Sequence, residues 1–115
     1  MTTAEWLAFH ASKLEQMKAI TKAKSNDYSG QESPFNNFQN VERLGITTTE
    51  HGFLVRMTDK LARLAQYVNS GTLLVKDESA EDTLLDLANY ALLMLGYLHS
   101  KKSLPQHKLL NKDKI

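Results

Sequence analysis

Apolar residues recur every three or four positions through three long segments of the chain, which is the spacing of helices with one buried face. The clearest of these stripes steps by four, four, three and four residues and consists of Phe53, Met57, Leu61, Leu64 and Val68. It predicts a helix from about residue 48 to residue 69. By the same pattern, a first helix is expected from Thr3 to about Ala23 and a last one from about residue 78 to residue 100.

Cap and stop residues flank these segments and set their limits. Residues 2–5 and 47–50 both read Thr-x-x-Glu, a capping box in which each side chain accepts a hydrogen bond from the other residue's backbone N–H. Asp77 or Ser79 is expected to cap the last helix. A shorter helix should end at Gly45, because glycine readily takes the left-handed conformation that closes a helix.

The fold class that these patterns predict is all-α, a small helical bundle. Residues 24–37 contain glycine and proline and form the expected break between the first helix and the short one. The connector between the two long helices is short, so they should be antiparallel neighbours. We expect residues 1–100 to form a single helical domain, and residues 101–115, which hold five lysines and one acid, to form a basic flexible tail.

Length and composition narrow the possible functions. The chain has 115 residues and a net charge of +1, but the lysines of the tail leave the rest mildly acidic, so duplex nucleic acid is not an expected partner. The chain has no cysteine, which excludes disulfides and thiolate metal sites. No apolar run is long enough to span a bilayer, so no membrane partner is expected and a cytoplasmic location is the default.

Apolar residues surround the C-terminal half of the last predicted helix on nearly all sides. Those away from its main apolar face are Leu85, Leu92, Leu93 and Met94. A helix that is apolar all round is buried, but a chain this short buries only about two-thirds of its unfolded surface. We therefore expect a homo-oligomer.

Charged and polar residues form a stripe on each of the two long predicted helices. On the last helix the stripe steps by four, four and three residues and consists of Glu78, Asp82, Asp86 and Asn89. The polar side of the preceding helix carries Arg56, Asp59, Lys60 and Arg63. Because antiparallel neighbours bring the two stripes together, acids and bases should face each other across one cleft.

Two interpretations of this cleft remain open. The first is a network of structural salt bridges between the helices. The second is a ligand site in which Glu78, Asp82 and Asp86 hold Mg²⁺, which prefers oxygen ligands, while arginine and lysine contact the phosphates of a nucleotide. Asp27 and Tyr28 in the first loop could reach the same ligand.

Aromatic residues beside the short helix also have two interpretations. Phe35, Asn37 and Phe38 could stack on a base or hydrogen-bond to it. Two aromatic residues beside a short helix are more often part of the core. The four histidines show no metal-ligand spacing.

Four blocks of the sequence resemble the nucleotide-modification-associated domain 1 family. They are residues 26–30 (NDYSG), 34–38 (PFNNF), 56–64 (RMTDKLARL) and 76–91 (KDESAEDTLLDLANYA). The family is common in bacteriophages and was described as a domain of unknown function. The resemblance therefore implies a phage or prophage origin, a host-cell cytoplasmic location and a link to nucleotides.

More distantly, the two long helices are similar to the MazG-like all-α nucleoside triphosphate pyrophosphohydrolases. Those enzymes bind Mg²⁺ through Glu-Glu-x-x-Glu on one helix and Glu-x-x-Asp on the next. The resemblance places Asp59, Lys60 and Arg63 at the first motif and Asp86 and Asn89 at the second. Two of the five positions keep a carboxylate, and the two basic residues favour direct contact with phosphates.

Three functions remain as hypotheses. The first is a binding protein that holds a phosphorylated nucleotide, or a nucleotide-derived immune signal, between its helices and so disarms host defence by sequestration. The second is a Mg²⁺-dependent nucleoside triphosphate pyrophosphohydrolase or an accessory enzyme of nucleotide modification. The third is a structural helical assembly. Lys60 and Arg63 favour the first over the second, and the acidic stripe favours the second over the third.

Overall fold

The computed structural model describes residues 1–27, 33–71 and 79–102 of the chain. These residues form four α-helices: α1 (Thr3–Asp27), α2 (Asn36–Arg43), α3 (Thr49–Ser70) and α4 (Ala80–Lys102). No strand occurs within the described ranges, and the predicted all-α class is confirmed. Across these same ranges, none of the helices combines the length and the apolar character needed to cross a membrane.

The chain divides into two compact units, residues 1–34 and residues 35–115. The first unit contains α1, whose predicted capping box is confirmed. The Thr2 N–H donates to Glu5 Oε1 over 3.0 Å, and the Glu5 N–H donates to Thr2 Oγ1 over 3.1 Å. The helix continues to Asp27 rather than stopping at Ala23, because no glycine or proline interrupts the chain before residue 30.

The core of the second unit is aromatic. The Phe53 ring, which is fully buried, stacks on the Phe38 ring with centroids 4.0 Å apart, and the Tyr97 ring lies 5.8 Å from it. Phe35 contacts this cluster edge-on, with its ring 5.6 Å from that of Tyr97. Phe35 and Phe38 therefore belong to the core, which confirms the packing interpretation of these two aromatics. Tyr90 packs against the same cluster from α4.

Helices α3 and α4 run antiparallel, as predicted. Three pairs of residues in contact establish the direction, since the α4 number falls as the α3 number rises: Glu50 with Lys101, Phe53 with Tyr97, and Lys60 with Asp86. The predicted limits of α3 and α4 agree with the structure to within two residues at each end. The antiparallel packing of α3 and α4 determines where the charged side chains of both helices lie.

A glycine allows α2 to lie directly against α3. A Cβ atom built on Gly52 would be 3.0 Å from Val41 Cγ2 and 3.1 Å from the carbonyl oxygen of Phe38. Helix α2 ends as expected, with Leu44 as its C-cap and Gly45 at a φ of 76°. Glu42 then accepts from both the N–H and the hydroxyl of Thr49, the first residue of α3.

Two predicted helix ends differ from the structure. Thr48 rather than Thr47 caps α3, and its hydroxyl accepts from the His51 N–H. Glu50, expected to complete a capping box, instead bonds to Lys101. Lys101 and Lys102 continue α4, so the helix extends two residues into the predicted tail, while residues 103–115 lie outside the described residues.

Candidate functional site

One side of the α3–α4 pair faces α2. The residues that directly precede those pointing into the α3–α4 interface show which side this is. Gly52 directly precedes the buried Phe53, and it meets α2. Gly96 directly precedes the buried Tyr97, and a Cβ built there would lie 3.6 Å from the ring of Phe35, at the start of α2. Both helices are right-handed, and they run antiparallel. A residue one position before an inward-facing residue is therefore turned towards the same side of the pair on either helix. Positions preceding an inward-facing residue therefore lie on the α2 side.

Six of the predicted site residues of α3 and α4 occupy such positions. Arg56, Asp59 and Arg63 precede Met57, Lys60 and Leu64 on α3, and Asp82, Asp86 and Asn89 precede Thr83, Leu87 and Tyr90 on α4. The structure thus brings six polar side chains to the α2 side, with Lys60 between the helices. We call these seven residues the charged face.

One ion pair of the charged face joins the two helices. Lys60 Nζ lies 3.0 Å from Asp86 Oδ2, and the side chains of Lys60 and Asp86 are 12% and 44% exposed, respectively. The ammonium group of Lys60 is therefore shielded from solvent, while the carboxylate of Asp86 is in contact with solvent. This pair joins the two helices at the middle of the charged face.

A second ion pair runs along α3. Arg63 Nη2 lies 3.1 Å from Asp59 Oδ2, one helical turn away, and Asp59 is 59% exposed. Pairs of this kind on a helix surface contribute only about 0.3–0.5 kcal/mol. This pair therefore contributes little to the stability of α3.

Among the described residues of the charged face, Arg56 is a cation without a neighbouring carboxylate. Its guanidinium carbon lies 6.0 Å from the centroid of the Phe38 ring. It makes no ion pair within the described part of the chain, and it is exposed. The contact with the aromatic ring orients the guanidinium without neutralising it.

Asp82, one of the acidic residues of α4, forms hydrogen bonds at the start of its own helix. The Asp82 N–H donates to Ser79 Oγ over 3.0 Å, and the Ser79 N–H points to Asp82 Oδ2 at 3.4 Å. Ser79 is therefore the cap of α4, as one of the two predicted alternatives had it, and Asp82 completes a capping box. The other alternative, Asp77, lies outside the described residues.

The predicted metal site is only partly described by the structure. Asp82 and Asp86 lie one turn apart on the same side of α4, but Glu78 lies outside the described residues. Within those ranges, no three histidine or acidic side chains come close enough to hold a metal ion. The Mg²⁺ site formed by Glu78, Asp82 and Asp86 therefore stays a prediction.

The two candidates from the first loop, Asp27 and Tyr28, belong to a part of the chain whose position relative to the charged face is not described. Asp27 is the last residue of α1, in the first compact unit. Tyr28 lies outside the described residues. Their contact with a ligand also stays a prediction.

A polar depression on α2, which the sequence analysis did not identify, has a volume of about 230 Å³. It is lined by Gln39, Glu42, Arg43, Thr49 and Tyr97. The Arg43 guanidinium donates to three side-chain amide oxygens, at 2.9 Å (Asn40), 3.0 Å (Asn36) and 3.2 Å (Gln39). The spacing of these residues could have predicted the hydrogen bonds of Arg43. Positions three, four and seven residues apart lie on one face of a helix, and Asn36, Gln39, Asn40 and Arg43 have this spacing.

Glu50 and Lys101 form a third ion pair, which joins the start of α3 to the end of α4. Burial by itself would raise the pKa of Glu50, but the hydrogen bond and the charge of Lys101 outweigh burial and hold that pKa below its ordinary value. The same hydrogen bond raises the pKa of Lys101. The Lys101 ammonium also lies 5.5 Å from the centroid of the Tyr97 ring.

Comparison with known protein families, with curated proteins and with solved structures finds no match to this chain. The resemblance to the phage nucleotide-modification family and to the MazG-like enzymes therefore stays a prediction. The charged face has to be interpreted from its own chemistry.

Proposed function

We propose that the charged face binds the phosphate groups of a nucleotide, or of a nucleotide-derived immune signal, and that the protein sequesters this ligand. The observation that carries the proposal is Arg56: an exposed guanidinium held over an aromatic ring and lacking an ion-pair partner in the described part of the chain. An anion that binds there gains a charge-assisted hydrogen bond and breaks no ion pair formed by the described residues.

Arginine suits this role because its planar guanidinium can donate two parallel hydrogen bonds to one phosphate. Arg63 lies two turns from Arg56 on the same side of α3, with its guanidinium 3.1 Å from the exposed carboxylate of Asp59. A di- or triphosphate reaching along α3 would therefore contact both guanidinium groups. The half-exposed Asn89 lies on the same side of α4 and carries an amide that suits a base or a sugar.

Sequestration is favoured over cleavage because the acids of the charged face already have partners. Asp86 pairs with Lys60, and Asp82 completes the cap of α4. An enzyme that hydrolyses nucleoside triphosphates with Mg²⁺ needs carboxylates free to hold the metal. The second candidate function nevertheless has one supporting observation, since Asp82 and Asp86 lie one turn apart on the side that carries Arg56.

The fate of the bound nucleotide distinguishes the two candidates. The full chain is incubated with ATP, with and without Mg²⁺, and free and protein-bound nucleotides are identified by chromatography and mass spectrometry. Sequestration predicts intact ATP on the protein and no pyrophosphate under either condition. Release of pyrophosphate that requires Mg²⁺ and disappears in Asp86→Asn would contradict sequestration and favour the hydrolase.

We further propose that the protein acts as a homo-oligomer in the cytoplasm of a phage-infected cell. The support for an oligomer is the small core: among the described residues, Phe38, Phe53 and Tyr97 are the buried hydrophobic side chains. The support for a phage origin is the resemblance of four blocks to a phage family. A protein that captures a host signal must accumulate where that signal is made, which is the same compartment.

A further inference from the structure

The side of the α3–α4 pair opposite α2 carries an exposed apolar stripe on each helix. The α3 stripe consists of Leu54, Thr58, Leu61, Ala65 and Val68. The α4 stripe consists of Leu84, Ala88, Ala91 and Leu95. Both step alternately by four and three residues, which is the heptad spacing of helices that pack against other helices along their length.

Both stripes lie on the same side of the pair. Each stripe residue except Val68 directly follows an inward-facing one, as Leu54 follows Phe53 and Leu84 follows Thr83, and Val68 continues the α3 stripe at the same spacing. Positions that precede inward-facing residues lie on the α2 side, so positions that follow them lie on the other side. We call these nine residues the apolar face.

The apolar face is uncharged and large enough to be an interface. None of its nine positions carries a charge, and the large side chains on or beside it are between 44% and 78% exposed: Leu54, Val55, Leu61, Val68, Leu84, Leu92 and Leu95. Together they expose on the order of 400 Å² of apolar surface, and apolar patches of this size on a soluble protein mark interaction sites. Since interfaces are only about 60% apolar, such a patch corresponds to a total of roughly 1,300 Å² buried between two copies, within the range of stable dimers.

We infer that the apolar face is the interface between two copies of this chain, which pack as two helical pairs into a four-helix bundle. The face is self-complementary, because small residues (Thr58, Ala88 and Ala91) lie between leucines along the two helices and allow helices of a second copy to approach closely. A membrane surface fits less well, since apolar faces that lie on membranes are bordered by lysine and arginine. The residues bordering this face include Val55, Ala62 and Leu92.

The arrangement points the charged faces of the two copies away from each other. Each copy keeps a complete charged face, because that face is built from α3 and α4 of one chain. The inference does not rest on nucleotide binding, and a monomeric variant would keep its ligand site. Failure of the dimer and failure of the ligand proposal are therefore separate results.

The test measures the mass of the full chain in solution by light scattering at about 50 µM. The wild-type chain should have twice the mass of one chain. Leu61→Glu, which places a carboxylate in the middle of the apolar face, should raise the dissociation constant at least tenfold and give the mass of one chain. Leu44→Glu is the matched control, since Leu44 is 74% exposed at the end of α2 and should leave the dimer intact.

A second variant keeps the apolar character of the face and tests contact directly. The chain has no cysteine, so Ala88→Cys introduces a single thiol that a short bis-maleimide should link to its counterpart in the second copy. Asn37→Cys, exposed on α2, should not be linked. A monomeric wild-type chain, a dimer that survives Leu61→Glu, or equal cross-linking of the two cysteine variants would overturn the inference.

Discussion

Two glycines at equivalent positions of α3 and α4 have different surroundings. An added Cβ at Gly52 would lie 3.0 Å from Val41 Cγ2 and 3.1 Å from a backbone oxygen, which cannot move aside. At Gly96 the nearest atom would be a ring carbon of Phe35 at 3.6 Å, an ordinary contact distance. In a helix, alanine is otherwise better than glycine by about 0.5–1 kcal/mol.

We therefore expect opposite effects from the same substitution. Gly52→Ala should lower the free energy of unfolding by about 1–3 kcal/mol, because it separates α2 from α3. Gly96→Ala should leave it unchanged or raise it by up to about 1 kcal/mol. Urea unfolding followed by circular dichroism measures both, and equal stabilisation by the two variants would show that α2 does not pack closely on Gly52.

Glu42 should stabilise the folded state by accepting the hydrogen bonds of one buried threonine, Thr49. It accepts from the Thr49 N–H at 2.8 Å and from the Thr49 hydroxyl at 3.1 Å, and Thr49 is buried. Glu42→Ala leaves both donors without this acceptor and should lower the free energy of unfolding by about 1–3 kcal/mol. Glu15→Ala, at an exposed position of α1, should change it by less than about 0.5 kcal/mol in the same urea titration.

At the scale of the helices, the ion pair between Glu50 and Lys101 gives α3 and α4 a pH-dependent link. The pKa of Glu50 is lowered in the folded state, so its contribution is present above the unfolded pKa of about 4.3 and is lost as the pH falls through the folded pKa. The pKa of Lys101 is raised, so its contribution is present below about pH 10.4 and is lost as the pH rises through the folded value.

The corresponding experiment compares the wild-type chain with Glu50→Gln by chemical unfolding at pH 7 and pH 3. Glu50→Gln should be less stable by about 1 kcal/mol at pH 7, because it loses a charge-assisted bond. The difference should be smaller at pH 3, because the contribution of the Glu50 carboxylate is lost as the pH falls through its lowered folded pKa. A difference that stays constant between the two pH values would mean that the Glu50 carboxylate is not held by Lys101.

The positions of the helices could be predicted from the sequence because helix signals are local. Apolar spacing together with cap and stop residues located α3 and α4 to within two residues. The cap of α3 could not be predicted, since Thr47, Thr48 and Thr49 stand in a row and each can cap a helix. Contacts made by residues distant in the sequence decide between them, because Glu42 binds Thr49 and Lys101 binds Glu50.

For the whole molecule, the sequence placed the charged residues on one face of each helix but could not assign their partners. Spacing put Arg56 and Asp86 on polar stripes, yet the pairing of Lys60 with Asp86 depends on how the helices are rotated about their axes. The contact of Arg56 with Phe38 depends on α2 packing against Gly52. No periodic pattern in a single helix contains that information.

The unit formed by α2, α3 and α4 thus has a charged face on the α2 side and an apolar face opposite. This division predicts that binding of a ligand and association of two copies respond to different substitutions. Arg56→Ala should weaken ligand binding and leave the mass in solution unchanged. Leu61→Glu should change the mass and leave ligand binding within about twofold, a change of less than about 0.5 kcal/mol.

Isothermal titration calorimetry with Arg56→Ala tests the central claim most directly. Mono-, di- and triphosphate nucleotides are titrated into the wild-type chain, Arg56→Ala, and Arg43→Ala as a matched control from α2. We expect the wild-type chain to bind a phosphorylated nucleotide without Mg²⁺. Arg56→Ala should bind it at least tenfold more weakly, since a charge-assisted bond is worth about 1.5–3 kcal/mol, and Arg43→Ala should bind it as the wild type does. Equal affinity of the wild-type chain and Arg56→Ala, or no binding of any phosphorylated nucleotide to the wild-type chain, would contradict the account.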